Sequence, residues 1–245
     1  MDINRANRQC ADLDIREYGT NEPFLYADFC NTTTTGFSGD TVYAMKKGNR
    51  AIAFQNPIQG TMEITFQVHP FKIYSLLSDG TIETNAVIPV REVVKATEDG
   101  KLTTKDTPVP GTVFVYNNGD IGGVAIKGTF ANKTFTATNP EDIVADKEYV
   151  VCYLFEKTTG VKRVAFNDKK IPKYYRITME TLDKNERGKW VPCLITAYKA
   201  TPQRNLNLSL SSEGDPATIT ITFDCMVDEN NNVLDIVEIE DEDAE

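Results

Sequence analysis

The chain has 245 residues, 40% hydrophobic and 25% charged, an ordinary globular composition long enough to bury a sizeable core. Its 15 Gly and 11 Pro are too few for a collagen-like or linker-like chain. The formal charge is −10, but seven acids and no base fall within residues 235–245, so residues 1–234 carry only −3 and lack the clustered Lys and Arg of a sequence-specific nucleic-acid binder.

The first nine residues contain no apolar run, and no secretory leader is expected. Residues 51–55 and 61–68 read as two strands joined into a hairpin by the turn Asn56-Pro57-Ile58-Gln59-Gly60. The second of them alternates, with Met62, Ile64, Phe66 and Val68 on one face and Thr61, Glu63, Thr65 and Gln67 on the other. One short helix follows: Pro70 suits its first turn, Phe71, Ile73, Tyr74, Leu76 and Leu77 give an apolar face, and Gly80 stops it. About two turns cannot stand alone in water, so packing on the sheet must hold them.

Residues 84–106 are weakly patterned and read as a linker. Residues 107–147 give short strands at 113–116, 124–130 and 133–137 with Gly-rich turns, either an insertion on the main body or a separate small β-subdomain. Residues 149–155 are apolar on both faces and read as a central strand, too short to span a bilayer. Tyr175, Ile177 and Met179 point inward from a strand at 174–181. Leu206, Leu208 and Leu210 alternate with polar residues as another strand would. A turn at 211–216 leads to the strand carrying Ile219, Ile221 and Phe223. Residues 228–232 form a plain turn before the last strand, and the acids of 235–245 read as a solvated tail. The fold class is mainly β with one short flanking helix.

Catalytic equipment is thin. His69 is the lone imidazole, and no Ser or Cys has a nucleophile-elbow context to pair with it, so it reads as structural. Cys10, Cys30, Cys152, Cys193 and Cys225 are odd in number and show no CxxC spacing. They read as reduced thiols of a chain made in a cytoplasm. Residues 228–239 superficially imitate a calcium loop, but Val233 stands where its glycine belongs and Ile239 where its bidentate glutamate belongs. Gly122, Gly123 and Gly128 lack the Lys-Ser/Thr of a phosphate cradle. Glu213 and Asp215 are more simply turn formers than an acid-base pair. No catalytic, cofactor or metal site is expected, and the chain does not read as an enzyme.

Two segments carry a resemblance. The first runs from Gly48-Asn49-Arg50 through the turn to Met62–Val68 and on to Gly80. The second runs from Leu206 through Ser212-Glu213-Gly214-Asp215-Pro216 to Asp224. Together they cover about a third of the chain, and they resemble the tail tube (major tail) proteins of tailed bacteriophages. The resemblance implies a tail-tube-type β-barrel or sandwich formed by residues 1–83 and 148–234, with 84–147 as linker plus inserted β-subdomain and 235–245 as an acidic tail. It implies rings of six protomers stacked into a hollow conduit, with a smooth, acidic lumen through which DNA slides without specific binding. Partners would be further copies of the chain, other tail proteins such as a baseplate or initiator, a terminator or a sheath, and the passing DNA, with no membrane. The chain would be made in the host cytoplasm and end in the virion tail.

Contact candidates between subunits or rings are Asn56, Pro57, Gln59, Gly60, Arg5, Arg8, Glu213 and Asp215, with residues 1–20 as an arm whose deletion should leave a folded protomer. Three alternatives stand beside this reading. They are the inner tube of a contractile injection system, a virion decoration or Ig-like binding module, and a β-rich hydrolase using Glu213 and Asp215.

Overall fold

A computed structural model describes residues 3–239. The strands before the helix are β1 (Arg5–Asn7), β2 (Asp12–Glu17), β3 (Pro23–Ala27), β4 (Thr32–Ser38), β5 (Thr41–Lys46), β6 (Asn49–Gln55) and β7 (Gln59–Phe66). After α1 (Ile73–Leu76) come β8 (Ala86–Lys95), β9 (Lys101–Thr103), β10 (Phe114–Asn117), β11 (Gly128–Ala131), β12 (Thr134–Ala137) and β13 (Glu148–Lys157). The remaining strands among the described residues are β14 (Tyr175–Asn185), β15 (Trp190–Pro202), β16 (Ile219–Met226) and β17 (Leu234–Glu238). The fold is mainly β, and it divides into two compact units, Met1–Thr81 with Val164–Glu245, and Ile82–Arg163.

The first unit is built on one antiparallel nine-stranded sheet in the order β3-β2-β14-β15-β16-β7-β4, with β1 beside β14 and β17 beside β15. Strict alternation puts Met62, Ile64 and Phe66 of β7, Tyr175, Ile177 and Met179 of β14, and Ile219, Ile221 and Phe223 of β16 into one core. Val68, expected on that face, lies past the end of β7 and is 75% exposed. The helix spans one turn rather than two; Ile73, Leu76 and Leu77 are buried in the core, and Lys72 Nζ donates to the Phe24 carbonyl at 2.6 Å. Packing holds it, as so short a helix requires.

Within the expected arm of residues 1–20, β1 and β2 belong to the main sheet. Leu13 and Ile15 of β2 are fully buried, and β2 lies between β3 and β14, inside the sheet. The alternation Ala11, Leu13, Ile15 against Asp12, Asp14, Arg16 is a half-buried strand whose charged residues face out. Part of the expected acidic tail is a strand: β17 pairs with β15 over Cys193–Ala197, and Asp235 and Glu238 lie in it. Residues 240–245 of that expected tail lie outside the described residues.

The second unit pairs a sheet β10-β13-β8 with a sheet β11-β12-β9 around Leu102, Val115, Phe135, Tyr149, Val151 and Tyr153. β13 is central in its own sheet and belongs here rather than to the main body, so the unit is wider than residues 84–147. Its two ends are clasped. Glu83 and Arg163 exchange both backbone hydrogen bonds at 2.9 Å, and their side chains form an ion pair at 3.2 Å.

Candidate assembly surfaces

Between β4 and β7 the chain leaves the main sheet as a separate two-stranded ribbon, β5–β6. Lys47 (φ 51°) and Gly48 (φ 84°) form its tip, the left-handed pair that a tight hairpin turn demands. Cross-strand register puts Val42 opposite Phe54 and Ala44 opposite Ile52 on one face. On the other, the Arg50 guanidinium lies 4.3 Å over the Tyr43 ring. Every residue of β6 is exposed, and Val42, Ile52 and Phe54 each keep more than half of their surface open. A lone two-stranded ribbon is marginal in water, and exposed apolar side chains on it mark a contact surface.

The expected hairpin through Asn56–Gly60 is thereby corrected: β6 pairs with β5, and β7 pairs with β4 and β16. The physical reason is that a turn signal marks where the chain bends, not which strands then pair. Asn56, Pro57 and Gln59 sit at the ribbon's base, lining a cleft with Ser38, Gly39 and Asp40. The Asn56 amide donates to the Asp40 carbonyl at 2.9 Å and closes that base. Gly60 is buried against β16, where an added Cβ would stand 3.1 Å from Cys225 Cβ.

The other candidates lie elsewhere. Arg5 is engaged in an ion pair with Glu238 of β17, and Arg8 is exposed just after β1. Glu213 and Asp215 are exposed in the connection between β15 and β16. Leu206–Leu210 does not form the strand its alternation suggests, because the last ladder bond, Gln203 amide to Thr222 carbonyl at 2.8 Å, precedes it. Leu206 packs partly on the core, while Leu208 and Leu210 are 50% and 89% exposed. Ser211 Oγ bonds both the amide and the carbonyl of Glu213, and Gly214 (φ 90°) completes the turn. Gln67 Nε2 reaches the Pro216 carbonyl at 3.3 Å, tying this loop to the Phe66 end of β7.

The face of the main sheet opposite the core is encoded by the same alternation, as Thr61, Glu63 and Thr65 of β7 show. It presents threonines in cross-strand pairs, Thr65 with Thr220 (3.1 Å) and Thr178 with Thr196 (3.2 Å). Around them stand Asp12, Asp14, Glu63, Glu180, Asp224 and Asp235, with Arg16 and Arg176 among them. Tyr198 donates to Asp235, which pushes the phenol pKa above its ordinary value. The outermost strands of the main path are β3 and β4, each with one side unpaired among the described residues, and Phe37 of β4 is 64% exposed.

His69 shares a hydrogen bond with Tyr74 Oη at 2.8 Å and lies between Phe66 and Tyr74, as a packed junction residue. The Asp228 carboxylate accepts the amides of Asn230 and Asn232, making a turn and not an ion cage. Among the described residues no His, Cys, Asp or Glu cluster could hold a metal, and no helix is long and apolar enough to cross a membrane.

No curated protein matches the chain. The model of the YomU/Tube protein family matches residues 9–239, a span that includes the second unit as well as the two segments that carry the resemblance. With the mainly β fold and nearly the whole chain matched, the protein belongs to the YomU/Tube protein family, a family of phage tail tube proteins and so of virion components.

Proposed function

We propose that this chain is the building block of a tail tube, in which six copies close into a ring and rings stack into a hollow conduit for DNA. The observation that carries the reading is the β5–β6 ribbon, whose strand β6 is exposed along its length and which is apolar on one face. A folded subunit that presents such a ribbon needs a neighbour to cover it. Two further features support the reading. The unpaired sides of β3 and β4 suit joining of sheets from copy to copy, which removes exposed strand edges from the ring. The threonine-rich, carboxylate-bearing sheet face suits a lumen that repels phosphate instead of binding it.

In this reading other tail proteins start and end the tube, and the subunit's work is assembly, without catalysis. Negative-stain electron microscopy with light scattering, with and without a baseplate as seed, tests it. Hollow tubes with six-fold end views are expected. A protein that stays monomeric even when seeded overturns the proposal.

A further inference from the structure

The ribbon and the loop of residues 205–218 stand at opposite ends of the same pair of strands. β7 starts beside the ribbon's base and ends at Phe66; β16 pairs with it from Ile219, where the loop arrives, to Cys225, opposite Gly60. Eight strand residues at about 3.4 Å each place the two features roughly 25 Å apart along the sheet.

Their chemistry is complementary. Residues 41–55 contain Lys46, Lys47 and Arg50 and no acid, whereas residues 205–218 contain Glu213 and Asp215 and no base. Lys46 and Lys47 are exposed and have no ion-pair partner among the described residues, and the same holds for Glu213 and Asp215. Beside the bases lie Ile52 and Phe54, more than half exposed, and beside the acids lie Leu208 and Leu210. Neither surface is complementary to itself: ribbon against ribbon sets like charges together, and so does loop against loop.

We propose that the β5–β6 ribbon of one copy docks head to tail on the 205–218 loop of the next, Lys46 and Lys47 facing Glu213 and Asp215 while the apolar side chains cover each other. The inference rests on the tube reading and specifies its stacking contact. A contact between two different surfaces at opposite ends of a subunit does not close on itself and propagates as a filament. The charges set polarity and register, because both wrong pairings are repulsive, and the apolar groups supply the buried area.

Three variants test this: Lys46→Glu with Lys47→Glu, Glu213→Lys with Asp215→Lys, and all four together. Assembly is read by sedimentation and electron microscopy, with circular dichroism to confirm folding. Each charge-reversed pair should raise the concentration needed for assembly at least ~10-fold, and the fourfold variant should return to within ~3-fold of wild type. Wild-type assembly should weaken as salt rises. A second readout uses a zero-length carbodiimide cross-linker on assembled mixtures of ¹⁴N- and ¹⁵N-labelled protein. Mixed-isotope links between Lys46 or Lys47 and Glu213 or Asp215 are expected. Wild-type tubes that lack these links, or that form equally well after either reversal, overturn the docking while leaving the tube reading intact. Wild-type protein that never assembles overturns both.

Discussion

Replacing Ile52 and Phe54 together by serine separates folding from assembly. The two side chains lie on the apolar face of the ribbon and are 58% and 57% exposed, so neither belongs to the core of the subunit. Fully burying such a side chain stabilises by about 1.5–3 kcal/mol, and covering the open part of these two contributes roughly 2.5 kcal/mol per contact. By the usual conversion that is ~60-fold in the concentration at which subunits associate. The double variant should therefore melt within about 2 °C of wild type by calorimetry, yet sediment as small species at concentrations where wild type forms long assemblies. Assembly at the wild-type concentration refutes the role given to the ribbon. A large fall in melting temperature refutes the placement of Ile52 and Phe54 outside the core of the subunit.

Other outcomes follow from the fold. Leu13→Ala should cost about 2–5 kcal/mol, because Leu13 is fully buried in the main core, and should lower the melting temperature of the purified subunit by roughly 6–15 °C. Removing residues 1–18 should abolish cooperative unfolding altogether, since it takes out a strand between β3 and β14. Gly128→Ala sets a Cβ 2.4 Å from both the Phe135 ring and the Thr136 carbonyl. It should cost about 1–3 kcal/mol, seen by hydrogen exchange as lost protection in β11 and β12 with β14 and β16 unaffected. Thr81 donates its hydroxyl and its amide to Asp79, and Lys170 lies 3.3 Å away, so the Asp79 pKa is held below its ordinary value. That contribution is present above the unfolded carboxylate pKa and is lost as pH falls through the lowered folded value. Asp79→Asn should thus melt below wild type at pH 7, with the gap closing as pH falls below about 4 in a melting series.

Much of the main sheet was legible in the sequence because burial on one face leaves a period of two. Met62–Phe66, Tyr175–Met179 and Ile219–Phe223 show it plainly, and all nine inward residues are buried. The same rule applies to Ala11–Ile15, but the intervening Asp12, Asp14 and Arg16 give that segment the look of a polar arm. Leu206–Leu210 shows the converse: alternation without a partner strand yields a loop. Pairing is a tertiary property, so the turn at Asn56–Gly60 could not disclose that β6 folds back on β5. The tip at Lys46-Lys47-Gly48-Asn49 was the available signal, since a glycine beside polar residues between two apolar runs marks a tight turn. Of the contact candidates, Glu213 and Asp215 remain exposed, Arg5 is engaged within the subunit, and Gly60 is buried. Their accessibility depends on the fold around them, which local sequence does not carry.

The clasp between Glu83 and Arg163 makes the second unit a cassette. A residue pair that exchanges both backbone bonds holds its Cα atoms about 5.5 Å apart, so the chain enters and leaves the 82 residues of Ile82–Arg163 through nearly one point. From the standpoint of the main sheet the whole unit is one long loop whose ends are already joined, and its length adds little closure entropy. Evolution can therefore enlarge, exchange or delete it by editing at a single seam, leaving the strand order of the main sheet unchanged. An engineer can do the same, joining Thr81 to Val164 with a few residues or placing a foreign domain between them.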